Sequence, residues 1–214
     1  MGRKKSAISA TDHERITQAI RSAERRTNGE IFAVVAHRSD DYFFVSGFVI
    51  ALWTLAILTV LAFATWLYSI TFDPVIFAAA QFVSLIASLL LLKFVPNLRL
   101  WFVPKKIAFQ RASAEAVRQF LAHGVHATST RTGILIYVSL AEHYAEVVAD
   151  SGIAEKVDQS QWDGMVADLV ANAGRGDVAK GFLTAIDRAA GLLALYFPPV
   201  LGQENEVDDR LVEL

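Results

Sequence analysis

From Phe43 to Val95 the chain is apolar almost without a break, and frequent polar positions return only on either side of that stretch. Between Asp41 and Lys93 the one charged residue is Asp73, in the turn Ser69-Ile70-Thr71-Phe72-Asp73-Pro74. The run before the turn is roughly 25 residues and the run after it roughly 19, each sufficient for a hydrocarbon core about 30 Å thick. A helix apolar on every side needs lipid or a large protein around it. The remaining chain, roughly 160 residues, is too short to wrap two such helices. The pattern therefore predicts a transmembrane helical hairpin over 43–95.

The flanks alternate in a different way. Thr11-Asp12-His13-Glu14 has the capping-box form, with Thr11 as N-cap, and Ile16, Ala19, Ile20 and Ala23 follow at helical spacing. Asn28-Gly29 is expected to end that helix through a left-handed glycine. Glu30 to Ala36 is a short apolar run of the kind buried on both faces of a sheet. After the hairpin, Pro96-Asn97 breaks the second span, and Leu98 to Val103 is expected in the membrane interface with Arg99 toward headgroups. A helix follows from Pro104 to His123, stopped by Gly124. Gly133 to Ser139 is a second buried strand, and Tyr144 to Asp150 a third, joined to it by the short Leu140–His143 link. Ser160 and Asp177 are placed to cap two closing helices, the second ending at Pro198-Pro199. The acidic stretch from Gln203 to Leu214 is expected to be exposed. A strand, a helix and a strand suggest a parallel crossover, with the third strand antiparallel. The expected class is α/β with a small mixed sheet, interrupted by the hairpin. The expected division is an α/β domain over 1–41 and 104–200, the hairpin over 43–95, and an acidic tail over 201–214.

Composition changes this picture little. The 54% hydrophobic fraction comes largely from the hairpin, and the net charge of −2 gives no indication of a nucleic-acid partner. There is no cysteine, which excludes disulfides and thiolate metal sites. The basic leader Met1 to Ser6 is not followed by an apolar signal-peptide core. It fits the loose myristoylation pattern, a weak and eukaryotic signal. Charge distribution says more. Arg3, Lys4, Lys5, Arg15, Arg21, Arg25, Arg26 and Arg38 precede the first span. Lys93, Arg99, Lys105, Lys106 and Arg111 follow the second, with no acidic residue among them, and the turn has no Lys or Arg. Since basic residues stay on the cytoplasmic side, the expectation is a multi-pass protein of the cell (inner) membrane with both termini cytoplasmic.

Several segments carry a resemblance. Glu24 to Ile31, Arg131 to Val138 and Val147 to Ile153 resemble the TPM domain family. The whole chain, including Phe197-Pro198-Pro199 and Asp209 to Leu214, looks like a bacterial subgroup in which a two-span hairpin interrupts the domain after its first strand. The resemblance implies an α/β/α sandwich. Some members of the family are described as phosphatases or divalent-metal binders. Where many members carry Gly-x-Gly after the last strand, this chain has Asp150-Ser151-Gly152.

The candidate chemistry is acidic. Asp40 and Asp41 follow a buried strand, and ligand sites of α/β sheets favour the carboxyl ends of strands. With Glu142 they could hold Ca²⁺ or Mg²⁺; a solvated turn that keeps the strand out of the bilayer is the commoner use of such a pair. His123 and His126 lack a third ligand and suit a helix terminus better than zinc. Ser139 has no glycine elbow around it, and no Walker, dinucleotide or zinc-protease motif is present. Gly47 with Ala51, and Ala80 with Ser84 and Ser88, put small residues at four-residue spacing. Those rows serve either to pack the two spans together or as a homo-oligomer seam. Two functions stay open. One is a non-enzymatic membrane-anchored module that binds a membrane protein partner or maintains a membrane complex. The other is a divalent-metal-dependent phosphatase at the membrane surface.

Overall fold

The computed structural model describes residues 8–69, 73–200 and 205–214. The basic leader, the centre of the turn at 70–72 and residues 201–204 lie outside the described residues. Along the chain run α1 (Ala10–Glu24), β1 (Glu30–Ala36), α2 (Phe43–Leu67) and α3 (Pro74–Phe94). A 3₁₀ segment (Pro96–Phe102), α4 (Lys105–Ala122), a 3₁₀ turn (Val125–Ala127), β2 (Gly133–Ser139) and β3 (Tyr144–Ala149) come next. The chain closes with α5 (Ser151–Ala154), α6 (Ser160–Gly174), α7 (Val178–Tyr196) and β4 (Leu211–Glu213). Two compact units result, 1–39 with 109–214, and 40–108.

The first unit is built on a four-stranded sheet of order β3-β2-β1-β4. β1 pairs parallel with β2, Glu30 opposite Gly133 through Ala36 opposite Ser139. β3 runs antiparallel to β2, and β4 parallel to β1. Both central strands are buried along their whole length, which is why each reads as a continuous apolar run. On one face, Ile31, Val35, Ile134 and Ile136 pack against Ile16 and Ile20 of α1, Leu169 of α6, and Phe182 and Ile186 of α7. On the other, Phe32, Val34, Leu135 and Tyr137 meet Ala116 and Phe120 of α4. Three layers, α/β/α, enclose two apolar cores.

Four local expectations are corrected. Ser9, not Thr11, is the N-cap of α1, its hydroxyl accepting the Asp12 N–H at 3.1 Å. Ile8, 4% exposed, is drawn into the core just before it, and this fixes where the chain enters the helix. Gly29 does not cap α1, which ends at Glu24 with Arg25 still right-handed. Its role is close approach: a Cβ there would come within 2.9 Å of Leu193 Cδ1 on α7. Ser160 does not cap α6; its hydroxyl donates to Asp158 at 2.6 Å. The acidic tail supplies β4, with Leu211 4% exposed against the core.

In the second unit α2 and α3 lie side by side and antiparallel, so that a Cβ on Gly47 would rest 3.5 Å from Leu89. Both are long and apolar enough to cross a membrane. Only 6% of the most apolar window of each is buried, whereas a core helix of a soluble protein would be covered. Arg99 departs from expectation. It is 7% exposed and folds back onto the end of α3, donating to the Leu92 carbonyl at 2.9 Å and the Lys93 carbonyl at 3.3 Å. It also pairs with Asp41 and sits over the Phe43 ring at 5.2 Å. The last carbonyls of a helix lack intrahelical partners and carry the negative end of its dipole, so a cation is bound there rather than released to headgroups. Trp101 of the same segment is 88% exposed. Gly47 and Ala51 face α3; of the small residues on α3, Ala80 and Ser84 stand exposed and Ser88 is half-buried.

Candidate functional site

The carboxyl ends of β1 and β2 finish side by side because their register pairs Ala36 with Ser139. Beyond them the backbone stays tied: Leu140 N–H bonds to the Ala36 carbonyl at 2.9 Å, and Ala141 N–H to the His37 carbonyl at 3.1 Å. The β2–β3 link then turns at His143, which takes a left-handed φ of 51°. Over this edge opens a crevice of about 310 Å³. Its floor and one wall are His37, Ser139, Leu140, His143 and Tyr144. The other wall is Val170 and Ala173 of α6 with Val178 at the start of α7. A concave, mostly apolar site with a few convergent polar groups is the usual form of a binding pocket.

The polar groups at this sheet edge form two hydrogen-bonded sets, of which Ser139 and His37 line the crevice. In the first, the Ser39 and Tyr137 hydroxyls lie 2.9 Å apart, Ser39 donates to Ser139 at 2.8 Å, and Ser139 donates to Glu142. Glu142 also accepts the Ser39 N–H at 3.0 Å. The order of donation runs from the phenol through two serines to a buried carboxylate. Burial pushes the Tyr137 phenol up to about 12, against the pull of the Ser39 hydroxyl, so the ring keeps its proton and can serve as a donor. In the second set, the imidazoles of His37 and His13 both reach Glu213 of β4, at 3.1 and 3.5 Å. Tyr144 donates to Glu146 at 2.9 Å, is pushed up to about 12 chiefly by burial, and meets the Phe109 ring at a tilt, centres 5.3 Å apart.

Residues 99–192 match the family described as TPM domain. Over that stretch the chain is similar to a TPM domain. The NMR structure of BA42 protein from the psychrophilic bacterium Bizionia argentinensis is similar over 100% of both chains, with a TM-score of 0.61 and 18% identity. At that identity the likeness is one of fold. No curated protein matches the chain. The matched stretch includes Ser139, Glu142, Tyr144 and the α6 wall. His37, Ser39 and Glu213 come from outside it.

The residues singled out in the sequence are placed as follows. Glu142, 6% exposed, lies in the matched stretch and is engaged by Ser39 and Ser139. Asp40 and Asp41 belong to the unit of α2 and α3: Asp40 accepts the Tyr42 N–H at 3.4 Å and Asp41 pairs with Arg99. Among the described residues no three His, Asp or Glu side chains gather as a metal-holding group. His123 stacks on Phe32 with ring centres 4.5 Å apart, and His126 lies 6.2 Å from the Phe120 ring. Asp150 accepts the Ser151 N–H at 2.6 Å at the start of α5 and stands 3.5 Å from Arg131. Sequence reasoning missed Ser39, Tyr137, His37 and Glu213. The available signal was that β1 and β2 both turn polar at the same height, but using it required their register.

Proposed function

We propose that the protein is a multi-pass protein of the cell (inner) membrane whose TPM domain, in the cytoplasm, holds a segment of a membrane protein partner. The observation that carries this is the crevice at the carboxyl ends of β1 and β2, apolar on its α6 wall and polar at His37, Ser139 and His143. Such a lining suits an apolar side chain flanked by hydrogen-bonding backbone. The groups most capable of chemistry are committed to one another, since Ser139 and Ser39 spend their protons within the chain that ends on Glu142. That arrangement supports positioning rather than reaction. The orientation rests on the Lys and Arg residues flanking both apolar helices and absent from the turn.

The test is photocrosslinking in native membranes, with p-benzoylphenylalanine replacing Val170 in the crevice or Gln110 on α4. We expect Val170 to capture a specific membrane protein that Gln110 does not. Recovery of self-contacts alone counts against the proposal. Turnover of a phosphoester by the purified chain, abolished by EDTA, would replace it with the phosphatase alternative.

A further inference from the structure

Four hydroxyls of α2 and α3 are satisfied within their own helices. Ser46 donates to the Tyr42 carbonyl at 2.7 Å, and Thr59, Thr65 and Ser88 donate to carbonyls of the preceding turn at 2.8 Å. Gln81 and Thr54 differ. Both line a crevice of about 130 Å³ between the two helices, whose other walls are Ala51, Leu55, Leu58, Phe82 and Leu85. Among the described residues neither the Gln81 amide nor the Thr54 hydroxyl has a hydrogen-bond partner. In hydrocarbon an unsatisfied amide costs several kcal/mol, so this one calls for a partner from outside the hairpin.

We propose that the Gln81 crevice is the seam of a homodimer, in which the Gln81 amides of two copies hydrogen-bond to each other in the membrane. The inference rests on α2 and α3 spanning the bilayer. A second copy is the fitting occupant because a primary amide both donates and accepts. A two-fold axis brings the same residue from each copy together, so two reciprocal N–H···O bonds form with no further residue required. Leu55 and Phe82, 59% and 68% exposed, stand at the mouth and would be covered. Ala80 is exposed and does not line this crevice.

The chain has no cysteine, so single-cysteine variants of the full chain report only the introduced site. Resistance to alkaline carbonate extraction first establishes membrane insertion independently of pairing; extraction of the wild type would overturn the spanning reading itself. In inserted protein, oxidation should give a disulfide dimer from Leu55→Cys and not from Ala80→Cys. Adding Gln81→Leu to Leu55→Cys should weaken association about tenfold, from two interhelical hydrogen bonds lost. Gln81→Asn, which keeps the amide, should retain most of it. Equal cross-linking with Gln81→Leu, or a band from Ala80→Cys but none from Leu55→Cys, would overturn the dimer seam.

Discussion

Gly133→Ala is expected to cost about 3 kcal/mol or more and to leave the sheet unformed at moderate urea. A Cβ at Gly133 would overlap the Val125 carbonyl oxygen and come within 2.8 Å of Val125 Cγ1 and 3.1 Å of its carbonyl carbon. Two of those three atoms are backbone, and a peptide cannot rotate aside as a side chain does. Val125 is fully buried, and its turn is closed by the Ala127 N–H on the Gly124 carbonyl at 2.8 Å. Relief would require moving either that turn or the start of β2, where Gly133 pairs with Glu30. Urea unfolding of the full chain in detergent micelles measures the effect. Gly191→Ala is the control, since a Cβ there meets nothing within 4 Å inside α7. It should stabilise by about 0.5–1 kcal/mol, the ordinary gain of alanine over glycine in a helix.

The second large effect concerns pH. Glu24 closes α1 with its carboxyl beside β1, accepting the Ile31 N–H at 3.0 Å. Burial pushes its pKa up to about 9; the Ile31 bond pulls the other way, and the neighbouring Glu30 and Asp209 add to the rise. An acid raised in the folded state above its ordinary 4.5 keeps a proton that the unfolded chain releases. Its stabilisation is therefore complete below about pH 4.5 and is lost as pH climbs toward 9, by up to about 1.4 kcal/mol per pH unit. Wild type should lose stability between pH 5 and 8, while Glu24→Gln, neutral throughout, should hold a flatter profile and exceed wild type at pH 8. Parallel profiles would show that Glu24 ionises freely. Asp209, the neighbour of Glu24, is also held by Arg21 at 3.1 Å, so the same contact fastens the segment leading into β4.

Much of this architecture was legible where burial is uniform. Glu30–Ala36 and Gly133–Ser139 read as central strands because both their faces are covered. The four residues between Ser139 and Tyr144 are too few for anything but an antiparallel turn. The two apolar helices announced themselves by the absence of charge. What was not legible depends on partners distant in the chain. Leu211–Glu213 has no strand pattern of its own and becomes β4 only because β1 offers it an open edge. The Tyr137–Ser39–Ser139–Glu142 chain exists through the register of β1 on β2, which no local spacing encodes. Arg99 has the composition of a headgroup contact, yet the unpaired carbonyls of Leu92 and Lys93 and the carboxylate of Asp41 claim it first.

The strand order has a consequence for synthesis. β1 is the first strand made, yet it lies between β2 and β4, both of which follow the long apolar stretch. While that stretch is being made, β1 has neither neighbour and both of its edges are open to other chains. Its second edge is closed only when Leu211–Glu213 leaves the ribosome. The earliest strand therefore waits longest for its pairing, and the span of that wait is set by the insertion between.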